Sequence, residues 1–368
     1  MSLKRVHEFS NVQRSLILFE NVNNSEATMN LYKKGLEKYM KFVGYVNRYD
    51  DYIMLDSETI HKHLEDYVMF QINRKIKGTS VRGYLKSVYL FLDVNRKQYF
   101  PKSINRFIPK DKMKKGNDKP FTDEDIQKML DYTNKTRNKA LVLFFSSIGG
   151  RSAVLVDPIL CFKNLYPMAF GCKAVLMYAD SDEEYWGFLT PESSKALEEY
   201  RDERIRKGEN ITPDSPLFVI EHKPGRFKEG NHLSLPALNS IFDNLERRSH
   251  IEKIKTGNRY DKALMYGFRK RFNTIMKINS DVNSNIAEKL MAHKNGLDGV
   301  YFTPTKEECF VEFVKAIPQL TISRAEKLTM KLEEFENEKD DKIKKLESEM
   351  KSVYRLLERI IPNSSSIT

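Results

Sequence analysis

The chain has 368 residues, 40% of them hydrophobic, which is enough for two folded domains with sizeable cores and excludes a disordered basic tail. Its 62 Lys and Arg residues outnumber 51 Asp and Glu residues by 11, and such a surplus favours a polyanionic partner, either nucleic acid or an anionic membrane surface. The longest apolar run (140–145) is too short to cross a bilayer, and the N-terminus lacks an apolar signal segment. The three cysteines are an odd number and lack metal-ligand spacing. We therefore expect a soluble cytoplasmic protein without disulfide bonds.

Residues 1–108 are predicted to form a helical domain. Apolar residues recur there at spacings of three and four, as on the buried face of a packed helix. Helix-capping residues precede three such stretches: Ser25; Asp56 or Ser57; and Thr79 or Ser80. The pattern predicts amphipathic helices packed around one core.

A basic segment, 109–119, interrupts this pattern. It contains five lysines, a glycine and an opening proline, a composition typical of an exposed linker. A second domain is predicted at 120–322, with Thr122 as the N-cap of its first helix.

The second domain mixes helices with a short strand region. Two runs rich in β-forming residues, 173–178 and 185–190, flank an acidic turn and predict a hairpin. Helical patterns resume at 191–206 and dominate from Pro236 onward. The predicted fold class is therefore mainly α with a small β-hairpin region, an α+β fold.

Residues 323–361 are predicted to form a long amphipathic helix, followed by a disordered tail at 362–368. Apolar residues keep a 4-3 spacing before the charged stretch 336–342 and a 3-4 spacing after it, one residue out of phase, which predicts a broken coiled coil. Residues 325–361 contain nine basic and ten acidic residues, so this helix lacks the positive net charge expected of a helix that binds DNA. The helix could serve contact with another protein or pack against its own domain, and the sequence leaves both roles open.

Three stretches of the second domain carry potential chemistry. The sequence has no Walker loop, no dinucleotide-binding glycine fingerprint and no Cys/His array suited to zinc, so we expect neither a cofactor nor a metal. Arg151 follows two glycines and can form a bidentate fork to a phosphate, while Tyr266 and Arg269 lie about one helical turn apart. His293 precedes Tyr301 by eight residues. Each stretch by itself also has an ordinary structural explanation: a helix end followed by a structural arginine, a basic helix face, and an isolated His and Tyr.

Taken in order, these motifs resemble the tyrosine recombinases of the phage integrase family, and most of all its archaeal branch of viral or plasmid integrases. The resemblance covers roughly residues 20–320 and implies a core-binding domain followed by a catalytic domain. It implies that Arg151 and Arg269 are the two catalytic arginines. It further implies that His293 is the histidine of the family's Leu-Met-Gly-His segment and that Tyr301 is the nucleophile.

The chain departs from the family pattern at two positions. Tyr266 stands where the family has His or sometimes Lys. The turn of the predicted hairpin, 179–185, is acidic and lacks the lysine that serves the family as general acid. Lys173, at the base of the hairpin, is a candidate substitute.

The resemblance implies a site-specific DNA recombinase or integrase that cleaves and rejoins DNA through a covalent 3′-phosphotyrosine, working as a tetramer on two DNA sites. The mechanism needs no metal or nucleotide, because the phosphotyrosine bond conserves the phosphodiester energy. Two alternatives stay open: a cleavage-defective protein that only binds DNA, and an enzyme similar to type IB topoisomerases.

The positive charge is concentrated in one part of the sequence. Residues 62–119 contain 15 basic and 5 acidic residues, which favours double-stranded DNA over a membrane as the partner. The predicted DNA-binding residues are Arg74, Lys75, Lys77, Arg82, Lys86, Lys110, Lys112, Lys114, Lys115, Lys119, Lys270 and Arg271.

Overall fold

The computed structural model describes residues 13–22, 26–111, 119–220, 231–256, 259–262, 264–293 and 301–360. The chain divides into two compact units, Met1–Lys115 and Gly116–Thr368. The boundary between them falls within the basic segment 109–119. The predicted cap at Ser25 and the predicted tail at 362–368 lie outside the described residues.

The first unit is a bundle of helices. Its described helices are α1 (Arg14–Glu20), α2 (Glu26–Val43), α3 (Tyr49–Met54), α4 (Ser57–Asn73), α5 (Gly78–Val94) and α6 (Pro101–Phe107). Their apolar faces meet in one buried cluster. Within it, Tyr39 and Tyr52 pack edge to face at 5.8 Å between ring centroids and join their hydroxyls in a 2.5 Å hydrogen bond. The apolar stripes of the sequence thus form the core of this unit.

Two helix starts in this unit differ in how they are capped. The Asp56 carboxylate caps α4 by accepting a hydrogen bond from the backbone amide three residues later. Helix α5 begins at Gly78, just before the predicted caps, because the Asp111 carboxylate accepts hydrogen bonds from the amides of Gly78 and Thr79 at 2.7 and 2.9 Å. Asp111 lies 33 residues away from Gly78, so no local pattern reports this cap. It also holds the beginning of the basic segment against the first unit.

The second unit combines helices with two small antiparallel sheets. Its described helices are α7 (Asp123–Tyr132), α8 (Thr136–Ile148), α9 (Pro191–Arg206), α10 (Leu235–Arg248), α11 (Leu264–Ile278), α12 (Ser284–Leu290), α13 (Lys306–Val314), α14 (Ile317–Leu320) and α15 (Arg324–Ile360). Its strands are β1 (Leu165–Pro167), β2 (Lys173–Met177), β3 (Tyr185–Leu189), β4 (Lys255–Thr256) and β5 (Arg259–Tyr260). The first three form a sheet of order β1-β2-β3, and the last two pair with each other.

The predicted hairpin and fold class are confirmed. Strands β2 and β3 pair antiparallel, with Lys173 opposite Leu189 and Met177 opposite Tyr185. The short strand β1, which the sequence did not predict, adds to the free edge of β2. Thr122 caps α7 in a capping box with Asp125, as expected.

Helix α8 lies in the centre of the second unit. Eleven of its 13 side chains are buried, so the longest apolar run of the sequence is a core helix. It packs against α9 and α11, and α11 carries two residues of the site described below.

The C-terminal helix α15 runs without interruption from Arg324 to Ile360. The predicted break concerns the register of a coiled coil and stays a prediction. Phe335 and Ile343 lie eight positions apart, or two steps of four, an insertion that unwinds a supercoil locally without breaking the helix. The side chains of Leu328 and Leu332 are 62% and 63% exposed, so this part of the stripe is not packed against the described second unit. No helix in the described ranges has the length and apolarity to span a membrane.

Candidate active site

An open cleft of about 1090 Å³ in the second unit brings four of the predicted site residues together. They are Arg151, Tyr266, Arg269 and His293. Arg151 follows the end of α8, Tyr266 and Arg269 lie on the first turns of α11, and His293 lies in the turn after α12. Three segments that are distant in the sequence thus meet at one concave surface.

Arg269 connects two of these segments. Its guanidinium donates to the carbonyl oxygens of Gly149 at 3.0 Å and Met291 at 2.7 Å, and to Nε2 of His293 at 2.8 Å. The side chain is only 6% exposed, and burial lowers the pKa of Arg269, although an arginine stays cationic in proteins. A fixed positive charge therefore lies at the floor of the cleft.

Two glycines allow the helices to approach closely enough for this geometry. Gly149 ends α8 in the left-handed conformation, with φ +56°, and a Cβ there would lie 2.4 Å from the ring of Phe272. Gly267, between Tyr266 and Arg269, faces the ring of Phe121, where a Cβ would lie 2.5 Å from the nearest carbon. The Gly-Gly and Tyr-Gly-Phe-Arg motifs thus have a packing reason besides their chemistry.

His293 is held in one tautomer. A guanidinium can only donate, so Nε2 of His293 accepts from Arg269 and the proton lies on Nδ1. Nδ1 donates to the Glu288 carboxylate at 2.5 Å, and Glu288 also forms an ion pair with Lys277. Partial burial raises the pKa of Glu288, but the hydrogen bonds from Lys277 and His293 outweigh burial and hold that pKa below its usual range. His293 consequently presents an acceptor, not a donor, at Nε2.

The turn that positions His293 contains a strained residue. Ala292 has φ +51°, in the left-handed region that a side chain disfavours by roughly 1 to 2 kcal/mol. The Leu-Met-Gly-His segment that this turn resembles carries glycine at this position, which has no such penalty. The conformation is stabilised by backbone hydrogen bonds from Ala292 to Lys289 and from His293 to Glu288.

Arg151 is more exposed than Arg269 and faces the acidic turn of the hairpin. Its Nη1 lies 3.5 Å from Oε2 of Glu183, with the two side chains 46% and 59% exposed. The Glu183 carboxylate therefore lies beside Nη1 of Arg151, a donor that the resemblance assigns to binding a phosphate.

Several neighbours of the arginines were not predicted from the sequence. Tyr178 and Tyr185, at the two ends of the hairpin turn, have their rings 6.1 Å apart and interact electrostatically with both arginines. Burial raises the pKa of both hydroxyls, so they stay protonated donors at neutral pH. Their positions beside the predicted turn were the available signal, since a turn of this kind brings both ends of a hairpin to one site.

Three lysines at the hairpin and the cleft are held by carboxylates. Lys173, the predicted substitute general acid, pairs with Glu198 of α9 at 2.9 Å and is not among the described residues that line the cleft. Lys253 and Lys262, which do line it, pair with the buried carboxylates of Glu246 and Asp125. The role predicted for Lys173 stays a prediction.

Tyr301 is the first described residue after 294–300, and its side chain is 81% exposed. It is not among the described residues that line the cleft. A phenol this exposed is free to react with a large external substrate, and its role as nucleophile stays a prediction. No group of three or more potential metal ligands occurs among the described residues.

The predicted DNA-binding residues fall into groups by exposure. The exposed ones are Arg74, Lys75, Lys77, Lys86, Lys110 and Lys119, while Arg82 and Lys270 are partly buried. Lys112, Lys114 and Lys115 lie outside the described residues.

Arg271 has a different environment from the one predicted. It is 3% exposed, and its guanidinium donates to Asp123 and to the carbonyl oxygens of Gln319 and Leu320. Helical periodicity explains this, because Arg271 lies two residues after Arg269, about 200° further around the helix, and so faces the side of α11 opposite the cleft residue Arg269. In this structure it joins α11 to α7 and α14.

On the first unit, Arg74 belongs to an aromatic and basic surface pocket. Its guanidinium lies over the Phe70 ring at 5.4 Å, and the Phe42 ring lies 4.9 Å from that of Phe70. Lys38 and Lys41 line the same pocket, and neither was predicted from the sequence. Phe42 and Phe70 are 36% and 41% exposed, which leaves aromatic surface between cationic groups.

Comparison with known proteins gives the fold. No protein-family model matches the chain, and no curated protein matches its sequence. Among solved structures, the XerH site-specific recombinase bound to difH substrate in a pre-cleavage complex is 14% identical, with a TM-score of 0.50 over 77% of this chain and 79% of that one. The Tn1549 transposon integrase in complex with circular intermediate DNA is 12% identical, with a TM-score of 0.50 over 82% of this chain and 99% of that one. The chain therefore has the α+β fold of tyrosine recombinases.

Proposed function

We propose that this protein is a site-specific DNA recombinase that cleaves and rejoins DNA through a covalent 3′-phosphotyrosine. The observation that carries the proposal is the cleft in which Arg151, Arg269 and His293 converge from three distant segments. Such a set of donors and one acceptor around a concave surface suits a phosphodiester that gains negative charge during reaction. The tyrosine recombinase fold supports the same assignment.

In the proposed reaction the Tyr301 oxygen attacks a backbone phosphate. A bond forms between that oxygen and phosphorus, the bond to the 5′-oxygen breaks, and the products are a 3′-phosphotyrosine and a 5′-hydroxyl. Arg151 and Arg269 hold the non-bridging oxygens. When Arg269 turns its donor from Nε2 of His293 to the phosphate, the lone pair of Nε2 is released and takes the phenolic proton of Tyr301. Tyr266, 57% exposed in the cleft, donates a hydrogen bond to the phosphate in place of the family's histidine.

We propose double-stranded DNA as the partner of both units. In the first unit, the exposed cations around α4 and α5 contact the backbone, together with Lys38, Lys41 and Arg74 of the aromatic pocket. In the second unit, Lys119 pairs with Asp261, which lies between the cleft residues Tyr260 and Lys262, and Lys270 lies over the ring of Tyr266. By the resemblance in sequence, the protein acts as a tetramer on two DNA sites of a mobile element, within the archaeal branch of the family.

One observation favours a second candidate, a cleavage-defective protein that only binds DNA. The hairpin turn offers Glu183 to Arg151 instead of a lysine to the leaving oxygen, and Lys173 is held by Glu198. Without a general acid the 5′-oxygen leaves as an alkoxide, which slows cleavage.

A suicide DNA substrate, nicked so that the cleaved end diffuses away, distinguishes the two candidates. We expect the wild-type protein to form a covalent adduct that survives a denaturing gel. DNA binding without any adduct would establish the cleavage-defective candidate. If an adduct does form, strand exchange between two marked duplexes separates a recombinase from the other alternative, an enzyme similar to type IB topoisomerases that only relaxes supercoils.

Replacing Glu183 by Gln is expected to strengthen DNA binding a few-fold. The change removes a carboxylate that lies 3.5 Å from Arg151 and would face a bound phosphate, although exposure on both sides keeps the effect small. Titration of labelled duplex measures it. Asp182→Asn, in the same turn, is the matched control: an equal gain there would mean that bulk charge, and not release of Arg151, is responsible.

Replacing Glu288 by Gln is expected to slow covalent adduct formation about 10- to 100-fold while leaving DNA affinity unchanged. Glu288 is a positioning residue, because its carboxylate fixes the proton of His293 on Nδ1, and loss of such orienting partners typically costs one to two orders of magnitude. Ring ¹⁵N shifts of His293 report the tautomer directly. Glu312→Gln removes a carboxylate that contacts Asn283 and Lys315 and serves as the control. An unchanged tautomer and rate in Glu288→Gln would refute the role.

A further inference from the structure

The second half of helix α15 presents an apolar stripe to solvent. Ile343, Leu346, Met350 and Val353 are between 52% and 60% exposed. With Leu357 they recur at spacings of 3, 4, 3 and 4, and Ile360 continues the series. Such alternation is the heptad pattern by which one long helix packs along another, with Ile343 at an a position and Leu346 at a d position.

The charges beside this stripe fit a second copy of the same helix in parallel. Lys342 occupies the g position before Ile343, and Glu347 the e position after Leu346. In a parallel pair the g residue of one helix faces the e residue five positions later on its neighbour. Lys342 of one copy thus meets Glu347 of the next, and the attraction repeats around a symmetric assembly.

The side-chain types indicate how many copies assemble. The first heptad, with Ile343 at a and Leu346 at d, is compatible with two strands, but the last two heptads reverse this order. Their d positions hold the β-branched Val353 and Ile360, and their a positions hold Met350 and Leu357, which are not β-branched. This arrangement disfavours two-stranded coils and favours larger ones, up to four strands.

The width of the apolar face also favours four strands. Tyr354, at an e position, and Leu356, at a g position, are 61% and 55% exposed and extend the face beyond the a and d positions. A two-stranded coil leaves e and g residues largely in solvent, whereas a four-stranded coil buries much more of them. We propose that residues 343–360 of four copies of this chain form a parallel four-stranded coiled coil without DNA, an association that does not depend on strand transfer.

The mass of the full-length protein in solution without DNA tests the number of strands. Light scattering at micromolar concentration should give four times the chain mass of 43.1 kDa. Leu346→Glu and Val353→Glu should each give monomers at concentrations where the wild type is fully assembled, because a charge enters the seam. Ser348→Glu, on the outer f position, is the matched control and should stay tetrameric. A monomeric or dimeric wild type would overturn the proposal.

A cysteine at one end of the seam tests the orientation. Parallel strands place Ile343 of each copy beside Ile343 of the next, so Ile343→Cys should yield disulfide-linked pairs on mild oxidation, whereas Lys345→Cys at an outer position should not. A tetramer without Ile343→Cys cross-links would show antiparallel strands and overturn the parallel arrangement. Both variants keep the helix itself intact and can be checked by circular dichroism.

Discussion

Tyr301→Phe is expected to abolish covalent attachment to DNA and to leave DNA affinity nearly unchanged. The substitution removes only the oxygen that attacks phosphorus. Because the side chain is 81% exposed, no packing and no described hydrogen bond is lost, and the melting temperature should not change. The suicide substrate on a denaturing gel measures adduct formation, and a titration of uncleaved duplex measures affinity.

The control for this prediction is Tyr166→Phe. Tyr166 lies on β1 and packs against Trp186 at 5.4 Å, so its ring contacts survive the change and adduct formation should be normal. An adduct that persists in Tyr301→Phe would assign the attacking oxygen to another residue. Mapping of the DNA-linked peptide would then identify it, with Tyr266 of the cleft as the first candidate.

Arg269→Ala is expected to reduce cleavage by about 10³-fold or more. The loss of one preorganised donor to developing charge commonly costs 10²- to 10³-fold, and this side chain supplies a charged fork. The variant also loses the hydrogen bonds from Arg269 to Gly149, Met291 and His293. Nε2 of His293 is therefore left without its partner. Single-turnover rates on the suicide substrate measure the effect, and thermal unfolding measures the accompanying loss of stability.

Two further variants separate chemistry from folding in this prediction. Arg269→Lys keeps a charge but not the fork, and should recover stability in part while cleavage stays low. Lys270→Ala, on the adjacent position, should weaken binding in a salt-dependent way and leave the rate of bound complexes nearly unchanged. Cleavage by Arg269→Ala within ten-fold of wild type would contradict the assignment of this arginine.

The sequence predicted those features that are set by short spacings. The capping box of Thr122 and Asp125, the β2–β3 hairpin and the buried helix α8 each follow from residues within a few positions of one another. The order of Arg151, Tyr266, Arg269 and His293 pointed to one site, and the structure places all four at one cleft.

The features that the sequence could not predict depend on tertiary contacts. The cap of α5 comes from Asp111, 33 residues away from Gly78. Burial of Arg271 depends on Asp123, which lies 148 positions earlier. The sequence alone does not show which of several consecutive basic residues faces the core and which faces solvent. The tautomer of His293 depends on Glu288 and Arg269 together, so it became visible only with distances.

The uninterrupted course of helix α15 has a consequence for how two DNA sites would meet. Its 37 residues make it about 55 Å long, and the seam at 343–360 begins roughly 28 Å from its start. A rigid rod of this kind would tether four catalytic units at a fixed spacing. If one unit of such an assembly bound DNA, capture of the next site would be an intramolecular event whose effective concentration depends on geometry and not on the amount of protein. Synapsis would then respond to the distance between the two sites more than to protein dilution.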